Sequence, residues 1–108
     1  YKASGMAYIR FAREERELFK ILFMRDRSGE IREDPEEMDA LIGLIAKQVG
    51  IDKETAKIFY LEMWAYTHGI ASMIATGFYD WDEPLASRAL TDVYEGLKHR
   101  YETGGNPV

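Results

Sequence analysis

The sequence contains no cysteine, only three prolines and only two histidines. The missing cysteine excludes a disulfide framework, a thiolate metal site and a cysteine nucleophile. The two histidines, His68 and His99, leave little room for a histidine-rich metal centre. No uninterrupted apolar run is long enough to cross a bilayer. Basic residues are outnumbered, fourteen against nineteen acidic ones, for a net charge of −5. A phosphate-binding surface needs the opposite balance, so this chain by itself is expected to be a poor nucleic-acid binder. Neither does the charge suit an anionic membrane. What is present is ordinary for a folded domain: 108 residues, 46% hydrophobic and 31% charged, enough for one modest core.

The chain opens at Tyr1, in sequence that already has the character of a domain, and shows no secretory leader pattern. This reads as a piece of a longer intracellular, cytoplasmic protein.

The punctuation along the chain is helical. Residues 4 to 26 carry helical spacing, and residues 26 to 30 are a polar stretch containing Gly29. Asp34-Pro35-Glu36-Glu37 is a start signal, with Asp as N-cap, Pro in the first turn and acids after it. That helix should stop at Gly50. Asp52 can cap the next, which meets no breaker until Gly77. Asp82-Glu83-Pro84 repeats the start signal for a last helix to about Tyr101. Residues 1–103 form the domain on this reading, and 104–108 a flexible tail. No segment alternates as a half-buried strand would, so the fold class is all-α, a bundle of about five helices.

Each helix has an apolar face at 100° per residue. In the last one, Ala86, Leu90, Val93, Tyr94, Leu97 and Tyr101 share a side. Met38, Leu41, Ile42, Ile45 and Val49 form the stripe of the second. In the first segment Tyr8, Phe11, Phe19 and Phe23 converge with several aliphatic residues, and Glu15 interrupts them. A kink between Arg13 and Arg16 would turn Glu15 to solvent. Without it, Glu15 is a buried acid and a contact for a cationic effector.

From Met63 to Tyr79 there is no Asp, Glu, Lys or Arg. Such a helix wants burial on more than one side. Ala65, Gly69, Ser72 and Thr76 make a stripe of small residues that would let another helix axis approach. Glycine inside a helix costs roughly 1 kcal/mol relative to alanine, so Gly69 asks for a packing reason. A bundle of this size lacks the surface to cover every face of that helix. A second copy would supply it, as an intermolecular four-helix bundle of the last two helices from each chain. Ala65, Gly69, Ser72, Thr76, Leu90, Val93 and Leu97 are the expected dimer contacts.

The string from Met63 to Ser72, with Trp64 and His68-Gly69 at its centre, resembles the signature of the WHG-type C-terminal domain of TetR-type transcriptional regulators. Ala7-Tyr8-Ile9-Arg10-Phe11-Ala12 and Glu17-Leu18-Phe19-Lys20-Ile21-Leu22-Phe23 resemble the opening of the same domain. The likeness covers about residues 5 to 101. It departs at Arg16, where relatives often carry proline. The resemblance implies an all-helical homodimer that senses a small hydrophobic or amphipathic effector and controls operator binding by a separate N-terminal helix-turn-helix domain. Residues 4 to 13 would then end the helix linking the two domains, and the operator would be met only through the other domain. No cofactor and no membrane partner are expected.

Phe11, Phe19, Phe23, Tyr60, Trp64 and His68 are the candidate effector contacts. Each also has a plain reading: the aromatics as core, and His68 as a packed imidazole bonded to a neighbour. Met24, Met63 and Met73 would suit an adaptable pocket wall or simply fill gaps. Enzyme readings find little. The residue three before His68 is Ala65 and before His99 is Gly96, so neither builds the Glu-x-x-His pair of a di-iron bundle. Glu95 and His99 could share a metal only on the polar face of the last helix. There is no phosphate loop and no nucleophile elbow. Three classes stay in play: an effector-sensing regulatory domain, most simply of a repressor; a plain helical dimerisation module without a ligand; and, remotely, a helical-bundle enzyme.

Overall fold

The computed structural model describes residues 2–24 and 35–102. The expected caps at Asp34, the polar stretch at 26 to 30 and the tail at 104–108 fall outside the described residues. Five helices follow in order: α1 (Lys2–Glu14), α2 (Arg16–Phe23), α3 (Pro35–Val49), α4 (Lys53–Thr76) and α5 (Glu83–Glu102), with no strand among the described residues.

The helix ends obey the start and stop signals. Asp52 accepts from the Thr55 backbone N–H at 2.7 Å and caps α4. Hydrogen bonding from the Thr55 backbone N–H, and from its side chain, holds the Asp52 carboxyl below the usual carboxylate range. Asp82 caps α5 in the same way, accepting from the Leu85 N–H at 2.9 Å. Gly50 and Gly77 close α3 and α4 with φ near +80° and +76°, a left-handed conformation that side chains disfavour.

The kink expected near Glu15 is present. Glu15 alone leaves helical geometry, with φ −127° and ψ 59°. Its N–H still donates to the Phe11 carbonyl, and its own carbonyl accepts from the Phe19 N–H, both at 2.8 Å. These two bonds bracket the turn, one on each side. The turn folds α2 back beside α1 and leaves Glu15 exposed.

α4 is the central helix. α1, α2, α3 and α5 all pack on it, and α1 also meets α2 and α5. One core cluster joins Met6, Ile9, Phe19, Ile70, Ile74 and Leu90. Ile42, Ala46 and Ala56 seal α3 to α4, and Val49, Phe59 and Met63 make a third cluster with α5. At Gly5, α1 comes close to both α4 and α5. A Cβ there would lie 2.9 Å from Leu90 Cδ1 and 3.6 Å from Thr67 Cγ2. Thr67 is fully buried, and its hydroxyl donates back to the Met63 carbonyl at 3.0 Å.

The far end of α1 is held by charge. Arg10 pairs with Glu83, and Arg13 reaches Asp80 at 2.6 Å and donates to the Trp81 carbonyl. Trp81 packs against the core and donates its indole N–H to Met73 Sδ at 3.1 Å. No described helix is long and apolar enough to cross a membrane.

Candidate functional site

The aromatic residues of the first segment converge, but they fill space rather than enclose it. Tyr8 stands at the centre, with edge-on contacts to Phe19, Phe23 and Trp64 at centroid distances of 5.4, 5.1 and 5.3 Å. Phe11 packs on Phe19 and Phe23. Phe19 is completely buried. The tight turn at Glu15 is what brings Phe19 and Phe23 onto Tyr8 and Phe11.

His68 belongs to this cluster. Its Nδ1 lies 2.7 Å from the Tyr8 hydroxyl, and its ring is 5.8 Å from that of Phe19. Burial among these rings lowers its pKa from the ordinary histidine value, favouring the neutral imidazole. In the neutral form with its proton on Nε2, Nδ1 accepts from the tyrosine hydroxyl; in the charged form the direction reverses.

The open space lies on the other side of Trp64. A cleft of about 550 Å³ is bounded by the first turn of α1, by α3, by α4 from Phe59 to Trp64, and by α5 from Leu90 to Glu95. Its floor is Tyr60, Met63 and Trp64. Leu41, Leu44, Ile45, Gln48 and Val49 form one wall, and Leu90, Thr91, Tyr94 and Glu95 the opposite one. Lys2 and Ser4 stand at the α1 edge. This volume falls in the range that accommodates a drug-sized molecule.

Of the six expected effector contacts, Tyr60 and Trp64 line this cleft, while Phe11, Phe19, Phe23 and His68 do not. Trp64 is shared: one side faces the cleft, and its ring meets both Tyr8 and Tyr60. Sequence reading missed Leu44, Gln48, Ser4 and Thr91. Leu44 and Gln48 are exposed on α3, a turn apart, and an apolar residue on the otherwise polar flank of a helix was the available signal. Ser4 and Thr91 carried none.

The expected dimer contacts divide as well. Ala65 and Thr76 are exposed, and Gly69 and Ser72 are half-buried. Among the described residues, and apart from its own chain neighbours and helix backbone, no atom lies within 4 Å of where a Gly69 Cβ would stand. Ile58 and Leu61 extend this outward strip, each 51% exposed. Leu90 is different: it is only 1% exposed, spent on the contact with Gly5 inside its own chain. Val93 and Leu97 are half-buried and pack against the Phe59–Met63 cluster. Their side of α5 faces α4 of the same chain, because Val93 and Leu97 continue the stripe that Leu90 begins.

Among the described residues no three His, Asp or Glu side chains converge as a metal site. Tyr101 donates its hydroxyl to Glu62, tying the end of α5 to α4; burial, together with that carboxylate, raises its pKa.

Compared with known families, residues 1–94 match the model of the tetracyclin repressor-like, C-terminal domain. Neither the curated proteins nor the solved structures compared with the chain gave a match.

Proposed function

The chain belongs to the tetracyclin repressor-like C-terminal domain family, a ligand-binding and dimerisation module of transcriptional regulators, and on that premise we propose that it senses a small molecule in the α1–α3–α4–α5 cleft. One observation carries this reading: the first turn of α1, through Lys2 and Ser4, forms an edge of the cleft. In regulators of this type the helix at that position leads from the DNA-reading domain. An occupant that contacts α1 in one orientation better than another shifts α1 between them, and by no more than that difference in affinity. The reading heads of a dimer then change separation and lose register with half-sites about 34–36 Å apart. On this reading the parent protein is a cytoplasmic repressor released by its effector.

The same reading makes the protein a homodimer through the outer strip of α4, where Ala65, Gly69, Ser72 and Thr76 are flanked by Ile58 and Leu61. Open space at Gly69 supports close approach of a second helix. Leu90 takes no part in that contact; α5 contributes through its outward side.

A thermal-shift screen with a panel of apolar compounds tests the effector site. A ligand at one hundred times its dissociation constant adds about 2.7 kcal/mol to stability. A panel with no shift at all would leave a plain dimerisation module. Sedimentation tests the dimer: the wild type should sediment as two chains, and a monomeric wild type would sink the interface.

A further inference from the structure

Resting on the reading of the cleft as an effector site, we propose that its occupant is an uncharged, ring-containing molecule bearing hydroxyl or carbonyl groups, and that organic cations and anions are rejected. The floor and walls are aromatic and aliphatic. Phe59, Tyr60, Trp64 and Tyr94 offer ring faces and edges, and flat rings gain most from such partners. Leu41 and Leu44 continue the wall on α3 without a charge.

Among the described residues, two charged side chains reach the lining, Lys2 and Glu95. They have opposite signs, and both are exposed, so they stand at the mouth and keep their own water. A charged group carried inward would lose its hydration with no buried counter-charge to replace it, which is heavily penalised. The nearby carboxylates offer no help. Glu15 sits in solvent at the α1–α2 corner, and Glu62 is engaged by Tyr101 and is not part of the lining. His68 is behind Trp64 and bonded to Tyr8. What the lining does offer is neutral hydrogen bonding: the hydroxyls of Ser4 and Thr91 and the amide of Gln48. These groups orient a hydroxyl or carbonyl without asking for charge.

The test uses two probes that share one ring system. N-phenyl-1-naphthylamine is neutral, and 1-anilinonaphthalene-8-sulfonate is the same skeleton carrying one sulfonate. Fluorescence titration of the protein should give a Kd at least tenfold lower for the neutral probe. Tetraphenylphosphonium, a lipophilic cation, should fail to displace it. Leu44→Glu places a carboxylate in the wall at a side chain already 52% exposed, so the core is untouched. That variant should weaken the neutral probe at least fivefold and admit the cation. Equal or tighter binding of the sulfonate or the cation by the wild type would overturn the inference while leaving the cleft a binding site. Neutral-probe binding indifferent to Leu44→Glu would overturn it too, since the probe would sit elsewhere. If none of the three probes bound, the effector reading itself would fall, and this inference with it.

Discussion

The Tyr8 hydroxyl and His68 Nδ1, sixty residues apart in sequence, meet at 2.7 Å and bond α1 to the middle of α4. The bond lies directly behind Trp64, whose ring touches Tyr8 and also forms part of the cleft floor. A movement of the indole on the cleft side is therefore felt by Tyr8, which bonds α1 to α4. Tyr8→Phe keeps the ring contacts and removes the hydroxyl. It should cost about 1 kcal/mol, the net worth of a typical hydrogen bond, read as a lowered denaturation midpoint at unchanged slope. An unchanged midpoint would mean that the bond contributes nothing in solution.

His68 also makes stability depend on pH. Its folded pKa lies below its unfolded value because burial penalises the charged ring. The unfolded chain then binds the extra proton first, and stability falls as pH drops from the ordinary histidine range toward the depressed folded value. The contribution is intact above that range. Thermal melts between pH 7.5 and 5 should show this decline, flattened in His68→Gln. Asp52 acts lower on the scale: its depressed carboxyl contributes above the usual carboxylate pKa and is lost as pH falls through its folded value. A His68→Gln variant with the same slope as the wild type would assign the decline to other groups.

Two glycines separate packing within the chain from packing beyond it. Gly5→Ala places a methyl 2.9 Å from Leu90 Cδ1, so the buried Leu90 side chain, which also borders the cleft, must shift to admit it. Overpacking of this kind costs about 1–3 kcal/mol, against about 1 kcal/mol gained in helix propensity. The variant should be destabilised, by chemical denaturation, at any protein concentration. Gly69 has open space around it. Gly69→Leu should leave each chain folded, with helical circular dichroism unchanged, and convert the proposed dimer to monomer in sedimentation. A dimeric Gly69→Leu protein would move the interface off this strip.

Arg13→Ala removes two contacts to the α4–α5 connection, one to Asp80 and one to the Trp81 carbonyl. Asp80 is 77% exposed, so its share is small. The guanidinium's bond to the carbonyl is the larger part, and the total loss should be about 1 kcal/mol, visible as a melting temperature several degrees lower. Trp81 loses its backbone anchor, so its emission should also shift to the red. A melting curve superimposable on the wild type would show the clamp to be ornamental.

The helices were legible because their ends are written in local chemistry. Asp52 and Asp82 supply side-chain caps, and Gly50 and Gly77 supply the left-handed closures. The turn at Glu15 was legible for a different reason: a carboxylate in the middle of an aromatic stripe cannot stay in a continuous helix without being buried. The site was legible only in part. Periodicity says which residues turn inward, but not whether they meet a neighbour or a void. Phe19 and Phe23 meet Tyr8 because one residue bends the chain; Tyr60 and Trp64, with the same helical credentials, border open space. Leu90 read as an outer contact because the crossing it completes depends on Gly5, whose missing side chain is visible only once α1 and α5 are placed together.

The two ends of α1 answer to different conditions. Near the cleft the helix rests on van der Waals contact, Gly5 against Leu90 and Thr67. At the other end it is tied by exposed ion pairs, Arg10 with Glu83 and Arg13 with Asp80. Dissolved salt screens exposed pairs, with a Debye length of about 8 Å at physiological ionic strength, and leaves apolar contact alone. Rising ionic strength thus weakens the ion pairs at the far end of α1, while the apolar contacts along the helix, Gly5 at Leu90 and Ile9 and Ala12 in the core, are left as they are.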